Sequence, residues 1–224
     1  MAEQKHTPNA MDVEEALSSS EAYIIKNKKT IIGIVIAVVV IVGGWLLYNH
    51  FVAMPKEQKA STMLAKGQEY FAMSQYELAL NGDSLSYKGF AKIAEEESGT
   101  AAGNLANAYA GLCLAQTGKY EEAIPYLEKF SGDAQMVAPA VKGALGNCYA
   151  NKGDLEKAVA LLVDAANSSD SQSLSPIFLL QAGELYEKLG KNDEALKLYQ
   201  TIKEKYFNSY NGANIDKYIE RVSK

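Results

Sequence analysis

The hydrophobic residues of this chain follow two patterns. Residues 31–47 read IIGIVIAVVVIVGGWLL, a run with no charge in which twelve residues are Ile, Val or Leu. After residue 56 the apolar residues instead recur three or four apart, between short polar turns. The first pattern predicts a helix that is apolar on every face, and the second predicts a series of amphipathic helices. Together they predict an all-α fold.

The residues that flank the apolar run suggest a membrane span. Three lysines stand before it and two aromatic residues lie at its far end, namely Lys26, Lys28, Lys29, Trp45 and Tyr48. The run is long enough to cross a bilayer, and aromatic side chains favour the membrane interface. Because lysines favour the cytosolic side, the residues after the span are expected on the opposite side of the membrane.

We therefore predict a cytosolic, partly disordered leader at 1–29 and an uncleaved transmembrane helix at 30–50. A cleaved signal peptide is the main alternative, although the leader is long and no convincing cleavage site follows the apolar core. A buried helix of a soluble protein is a second alternative. Pro55 is expected to break or redirect the chain after the span.

Small residues recur at fixed spacing in the rest of the chain. At offsets 0, 3, 7 and 12 the central copy has Gly146, Tyr149, Gly153 and Ala158. Two further copies lie 35 residues before and 37 residues after it, with Gly111, Leu114, Gly118 and Ala123, and with Gly183, Tyr186, Gly190 and Ala195. The first glycine and the alanine predict a close crossing of two helices, and the second glycine predicts a left-handed helix end. Bulky residues four positions after each alanine are expected to fill the space between units: Leu127, Leu162 and Tyr199.

These motifs resemble the tetratricopeptide repeat, whose period is about 34 residues. The resemblance is carried most closely by Leu145–Tyr149 and Gly153–Ala158. It implies a tetratricopeptide-type α-solenoid at 56–224, with repeats at about 56–97, 100–132, 139–168 and 176–207. A capping helix is expected at about 212–223, with Lys217, Glu220 and Arg221 on its outer face. The first repeat is divergent and lacks the clean glycine and alanine pair of the others. Its first helix is expected to run from Lys56 to about Leu80, a turn follows at 81–84, and a second helix is expected at Tyr87–Glu97.

Composition excludes several classes of function. The chain has 224 residues and a net charge of −5, and it contains no basic stripe of the kind that binds nucleic acid. His6 and His50 are isolated, so a histidine-based triad or a zinc cluster has too few ligands. Neither a phosphate-binding glycine loop nor a dinucleotide fingerprint occurs. Cys113 and Cys148 are read as small packing residues. We therefore predict no enzyme activity, no cofactor and no small-molecule substrate.

In the tetratricopeptide family the first helix of each repeat lines a concave groove. The resemblance thus implies a groove for a segment of another protein, formed chiefly by Leu105, Ala108, Leu112, Ala115, Asn147, Asn151, Ile177, Leu180, Glu184 and Lys188. Further groove positions are Gln116, Ala140, Gly143, Ala150 and Glu187. The alternative is that the first repeat or the capping helix covers the apolar half of this groove. Asn147 and Asn151 match the asparagines with which some family members clamp a carboxylate, but Gly143, Ile177 and Gln181 replace the expected basic residues.

The order of the parts is similar to that of the YfgM-like family of ancillary Sec translocon subunits. The local matches are Val13–Ala16, Gly44-Trp45 and the alanine-rich helices of the first two repeats. This resemblance implies a scaffold in the bacterial inner membrane with periplasmic repeats. It would work beside the translocon with a membrane-anchored chaperone of the PpiD type and receive emerging secreted chains. A structural or assembly subunit of another envelope complex is an alternative, as is an anchored receptor of a eukaryotic organelle.

Overall fold

The computed structural model describes residues 23–83 and 85–223, which are helical or lie in turns and include no strand. The predicted leader falls largely outside these residues. The chain divides into two compact units, Met1–Lys56 and Glu57–Lys224. In the first unit, helix α1 spans Lys28–Tyr48 and has no buried residue. Its length and apolar composition are sufficient for a membrane crossing.

Pro55 lies inside a helix and does not end it, so the predicted break at this residue is wrong. Residues Asn49–Ala53 form a π-helical turn, and the N–H of Met54 donates to the carbonyl of Asn49. Helix α2 then begins at Met54, so that Pro55 is its second residue. A proline in the first turn of a helix costs little, because its missing N–H has no obligatory partner there.

Six of the helices that follow form three successive pairs. The bounds of the helices are α2, Met54–Ala72; α3, Tyr76–Asn81; α4, Phe90–Glu96; α5, Ala101–Gln116; α6, Tyr120–Lys129; α7, Val137–Lys152; α8, Leu155–Ser169; α9, Ser175–Lys188; α10, Asn192–Lys205; α11, Tyr210–Ala213; and α12, Asp216–Val222. Helices α5 and α6, α7 and α8, and α9 and α10 pack against each other. Because α6 also packs on α7, and α8 on α9, the three pairs form one continuous stack.

The first glycine of each motif lies at a close helix crossing, as predicted. A Cβ added to Gly111 would lie 2.5 Å from Cγ of Leu127, and one added to Gly183 would lie 2.3 Å from Cε1 of Tyr199. At Gly146 it would lie 2.9 Å from Cγ of Leu162. Leu127, Leu162 and Tyr199 therefore fill the crossing inside each pair of helices. The prediction that they fill the space between pairs is wrong.

The second glycine of each motif is required by its backbone conformation. Gly118, Gly153 and Gly190 have φ values of 77°, 93° and 71°, and a Cβ on any of them would meet nothing within 4 Å. The next residue in each case donates its N–H to the carbonyl at offset 3, over 2.9 Å to Leu114, 3.0 Å to Tyr149 and 2.9 Å to Tyr186. This is the hydrogen bond of a Schellman helix end.

The first repeat has the same motif, which the sequence prediction missed. Its first helix ends at Ala72, well before the predicted end near Leu80. Ser74 takes the left-handed position with φ 58°, and the N–H of Gln75 donates to the carbonyl of Tyr70 over 2.9 Å. Gly67 and the fully buried Ala79 complete the offsets. The repeat diverges after α3, where a loop closed by Asp83 leads to α4; Asp83 accepts the N–H groups of residues 85–87.

The C-terminal segment caps the stack with two short helices, α11 and α12, in place of the single predicted helix. Ile215 and Val222 are buried, and Tyr218 and Ile219 pack partly buried against the core. The apolar side chains of this segment thus cover the end of α10, against which α12 packs. The last pair of helices is thereby shielded from solvent.

Candidate protein-binding surface

The structure separates the ten residues of the predicted groove into three groups. Six are half-buried, namely Leu105, Leu112, Ala115, Asn147, Leu180 and Glu184, and three are exposed, namely Asn151, Ile177 and Lys188. Ala108 is 0% exposed. The assignment of Ala108 to a binding surface is corrected, because a side chain without accessible surface offers nothing to a partner.

A cleft of about 530 Å³ lies where three of these ten residues converge with Ala150 and Glu187, two of the further predicted groove positions. We call it the inner cleft. Its lining comes from α7, α9 and α12 and comprises Asn147, Ala150, Gln181, Glu184, Leu185, Glu187, Lys188 and Arg221. Helices α7 and α9 approach closely nearer their N-termini, where a Cβ on Gly143 would lie 2.3 Å from Cε1 of Phe178. Gly143 is therefore a buried packing residue, and its predicted place in the groove is corrected. The cleft opens beyond this contact, towards the C-terminal ends of the two helices.

Glu187 is held by two donors at the edge of the inner cleft. Nη2 of Arg221 donates to its Oε1 over 2.7 Å, and the hydroxyl of Tyr199 donates to the same oxygen. Burial would raise the pKa of Glu187, but these two hydrogen bonds outweigh it and lower that pKa below its usual value. Burial first, and the bond to Glu187 second, raise the pKa of Tyr199 far above its usual range. Glu187 is thus a fixed carboxylate whose charge Arg221 balances.

The sequence prediction did not find this role of Arg221, which it placed on the outer face of the capping helix. Its guanidinium packs 4.8 Å from the ring centroid of Tyr218 and reaches Glu187, 34 positions earlier. No local signal marks such a pair, because an arginine on a short amphipathic helix is equally compatible with a solvated surface.

Two other polar groups of the inner cleft have no partner among residues 23–83 and 85–223. Oε1 of Gln181 is buried and accepts no hydrogen bond. Glu184 is half-buried and takes no part in any of the ion pairs that the described side chains form. Residues 181 and 184 lie three apart on α9, on the same side of the helix. The oxygen of Gln181 has no accessible surface, so of these two acceptors only the carboxylate of Glu184 can be reached by a ligand.

The asparagine clamp suggested by the family pattern is not assembled. Nδ2 of Asn151 donates to the carbonyl of Asn147 over 2.9 Å, within its own helix. Asn147 lines the inner cleft, but Asn151 does not. Asn147 and Asn151 therefore do not present a pair of amides to the inner cleft.

Ile177 belongs to a separate cleft of about 520 Å³, which we call the apolar cleft. Its lining comprises Ser171, Gln172, Ser173, Pro176, Ile177, Asn208, Ser209, Tyr210 and Asn211. Tyr210 is 86% exposed. The groove residues predicted on α9 therefore do not form one continuous surface. Ile177 lines the apolar cleft, whereas Glu184 and Lys188 line the inner cleft.

The first repeat packs on α5 through aromatic side chains. Tyr109 stacks on Phe90 with ring centroids 4.9 Å apart and meets the edge of Phe71 at 5.3 Å. The carboxylate of Glu57 accepts the N–H groups of Ala101 and Ala102 over 3.1 and 2.9 Å, which caps α5. These contacts fix the first repeat as an integral part of the stack.

Neither cysteine has the properties of a reactive thiol. Cys113 and Cys148 are fully buried and free. Burial raises the pKa of Cys113 to about 12 and that of Cys148 to about 11. Both side chains are packing residues, as predicted. Within the described part of the chain, no group of three or more His, Cys, Asp or Glu side chains is placed to hold a metal ion.

Comparison with known proteins identifies the repeats. Residues 106–130 and 140–169 match one family model of the tetratricopeptide repeat, and residues 178–209 match another. A comparison with curated proteins gave no match. The matched segments correspond to the pairs α5–α6, α7–α8 and α9–α10. These three pairs are therefore tetratricopeptide repeats, a type that typically serves as a non-enzymatic scaffold for protein–protein interactions.

Proposed function

We propose that this protein is a membrane-anchored scaffold that binds other proteins at the outer face of a bacterial inner membrane, where it assists protein translocation or recruits a chaperone. The observation that carries the proposal is the contrast between the two units. Helix α1 carries no charge from Ile31 to its end and has no buried residue, whereas the repeats bury a continuous core of their own. An apolar helix without packing partners is stabilised by lipid.

The energy of insertion supports the anchor. Each Ile, Val or Leu at the centre of a span contributes about −0.3 to −0.6 kcal/mol, so the twelve in residues 31–47 contribute roughly −4 to −7 kcal/mol. The absence of buried residues in α1 also argues against the alternative of a soluble core helix. The lysines before α1 favour a cytosolic N-terminus and place the repeats on the other side of the membrane in this proposal.

Binding would take place on the side of the stack formed by the first helices. The half-buried Leu105, Leu112 and Leu180 offer apolar area, and the inner cleft offers polar groups that can fix the register of a bound segment. Burial of apolar surface supplies the affinity of such a complex, and polar contacts supply its specificity. The assignment to translocation rests on the resemblance to the YfgM-like family.

The test is purification of the tagged full-length chain from bacterial membranes in a mild detergent. Co-purification of translocon subunits or of a membrane-anchored chaperone supports the proposal, and recovery of a different envelope complex supports the structural alternative. A variant with Leu112→Glu should co-purify with a smaller amount of the partner protein, because a carboxylate would replace half-buried apolar surface. Protease protection of tags at the two ends tests the topology; tags on the same side of the membrane would contradict it.

A further inference from the structure

We infer that the apolar cleft binds an extended, uncharged stretch of polypeptide that carries bulky aliphatic side chains. This inference rests on the proposed protein-binding function and names the chemistry of one segment that the scaffold binds. The cleft is formed by the start of α9, by the loop before it and by the residues around the start of α11.

The first argument is where the exposed apolar side chains of the second unit lie. Of seven such large residues in its described part, Ile177 and Tyr210 line the apolar cleft, and Phe207 is three residues before Tyr210. The other four lie in the first repeat or in the loop before α7, namely Met73, Leu78, Leu85 and Met136. Single exposed apolar residues are common, whereas apolar surface that gathers at a cleft is typical of a binding site.

The second argument is the absence of charge. None of the nine residues that line the apolar cleft is Asp, Glu, Lys, Arg or His. The charged residues that flank the two lining segments, Asp170 and Lys205, form a 2.6 Å ion pair with each other. A charged side chain that entered the cleft would lose hydration and find no counter-ion there. The cleft therefore favours uncharged side chains.

The third argument is that the walls of the apolar cleft are already joined. The ion pair of Asp170 and Lys205 connects the loop before α9 with the end of α10. Nε2 of Gln172 donates to the carbonyl of Lys205 over 3.2 Å, and the hydroxyl of Tyr206 donates to Asp170 over 3.4 Å. A site with fixed walls loses less conformational entropy when a ligand binds.

Two amide side chains of the apolar cleft are free to bind a ligand. The amides of Asn208 and Asn211 both line the cleft and form no hydrogen bond among the described residues. Each amide offers two donors and an acceptor, which match the C=O and N–H groups of an extended backbone. A peptide can thus place aliphatic side chains on Ile177 and Tyr210 while its backbone bonds to the asparagines.

A saccharide fits the apolar cleft less well, because the serine hydroxyls that line it are already engaged. The hydroxyls of Ser171 and Ser173 bond to each other over 3.0 Å. The hydroxyl of Ser209 donates to the carbonyl of Tyr206 and accepts the N–H of Gly212. A ligand with many hydroxyl groups would therefore find few partners in the cleft.

The experiment measures fluorescence anisotropy of labelled peptides with the full-length chain in phosphatidylcholine nanodiscs, and empty nanodiscs report binding to lipid. Three blocked peptides have the sequence Gly-Ser-X-Asn-X-Ser-Gly, where X is leucine, lysine or glutamate. The two X side chains lie on the same side of an extended segment. We expect the leucine peptide to bind at least about tenfold more tightly than either charged peptide, because burial of aliphatic side chains supplies the affinity.

Variants separate the apolar cleft from the rest of the surface. Ile177→Ser and Tyr210→Ser should each weaken the leucine peptide about tenfold, because each removes apolar surface from the cleft. The matched control is Leu78→Ser on α3, outside the cleft, because Leu78 is 41% exposed and Ile177 is 42% exposed. The control should leave the affinity unchanged, and thermal melts of the three variants should show similar small changes.

Failure of the leucine peptide to bind, or equal binding of the three peptides, would overturn the inference. Equal affinities in the Ile177 and Leu78 variants would do the same. Displacement of the leucine peptide by a neutral chito-oligosaccharide would overturn the assignment to polypeptide. The proposed function would survive each result if the full-length chain still co-purified with membrane proteins, so the two proposals fail separately.

Discussion

The hydroxyl of Tyr149 donates a 2.6 Å hydrogen bond to Oε1 of Glu128 and so joins the first helix of one repeat to the second helix of the repeat before it. Lys157 completes the group, with its Nζ 3.5 Å from the carboxylate and 3.8 Å from the centroid of the tyrosine ring. Similar sets of tyrosine, carboxylate and cation occur at Tyr199, Glu187 and Arg221, and at Tyr70, Asp83 and Lys66. Polar contacts therefore reinforce the apolar packing of the stack at three places.

Tyr149→Phe should destabilise the repeats by about 1 kcal/mol, because it removes one hydrogen bond to a charged acceptor that is partly exposed. Chemical denaturation followed by circular dichroism measures this change. Tyr120→Phe is the matched control, since no hydrogen bond of the Tyr120 hydroxyl occurs among the described residues, and it should leave the free energy of unfolding unchanged. Equal losses in the two variants would contradict the bridging role of Tyr149.

The same contact predicts a dependence of stability on pH. The hydrogen bond from Tyr149, followed by the charge of Lys157, lowers the pKa of Glu128 below its usual value. A lowered pKa in the folded state contributes stability that is complete above the unfolded pKa of about 4.3 and is lost as the pH falls through the folded value. Glu128→Gln should therefore lower the free energy of unfolding at pH 7, and the difference from the unaltered chain should shrink towards pH 3. A difference of the same size at both pH values would refute this account of Glu128.

The close crossings predict a steric effect that depends on position. Gly183→Ala would bring a methyl group to 2.3 Å from Cε1 of the fully buried Tyr199, and the required shift should cost about 1–3 kcal/mol. Gly44→Ala is the control, because Gly44 is also helical but has nothing within 4 Å of an added Cβ. The thermal unfolding of the repeats should respond to the first change alone. Retention of full stability by the Gly183 variant would mean that the crossing is looser than described.

Ser74 offers the opposite test, a substitution that should stabilise the chain. Its φ of 58° lies in the left-handed region, where a residue with a Cβ is strained and glycine is not. Ser74→Gly should raise the free energy of unfolding by up to about 1 kcal/mol, and Gly153→Ala should lower it by a similar amount. If both substitutions act in the same direction in a thermal melt, the shared turn geometry of the first and third repeats is wrong.

Local constraints explain which parts of the fold could be predicted. The turns at Gly118 and Gly153 could be predicted because the left-handed conformation favours glycine. The helix crossings at Gly111 and Gly146 could be predicted because only a small residue fits there. Ser74 occupies the same kind of turn but looks like an ordinary polar residue, so the first repeat seemed more divergent than it is. The break between α2 and α3 was missed for the same reason, whereas α4 lies within the second helix that was predicted for this repeat.

The binding surface was less predictable because it depends on how far neighbouring helices stand apart. Ala108 and Asn147 lie on the corresponding side of successive first helices, yet Ala108 is buried and Asn147 faces a cleft. The contact between Gly143 and Phe178 determines where that cleft begins, and Arg221 determines where it ends. Both contacts join residues more than 30 positions apart, and the amphipathic pattern of a single helix contains no information about them.

The most direct test of the account is site-specific photo-crosslinking in bacterial membranes. A photoreactive amino acid replaces Ala150, which lines the inner cleft, and in a matched strain it replaces Ala160, which is exposed on α8 and outside that cleft. The account predicts protein adducts from position 150 of the membrane-bound chain and few or none from position 160. Equal adducts at both positions, or adducts at position 160 alone, would contradict a scaffold that binds its partners through the inner cleft.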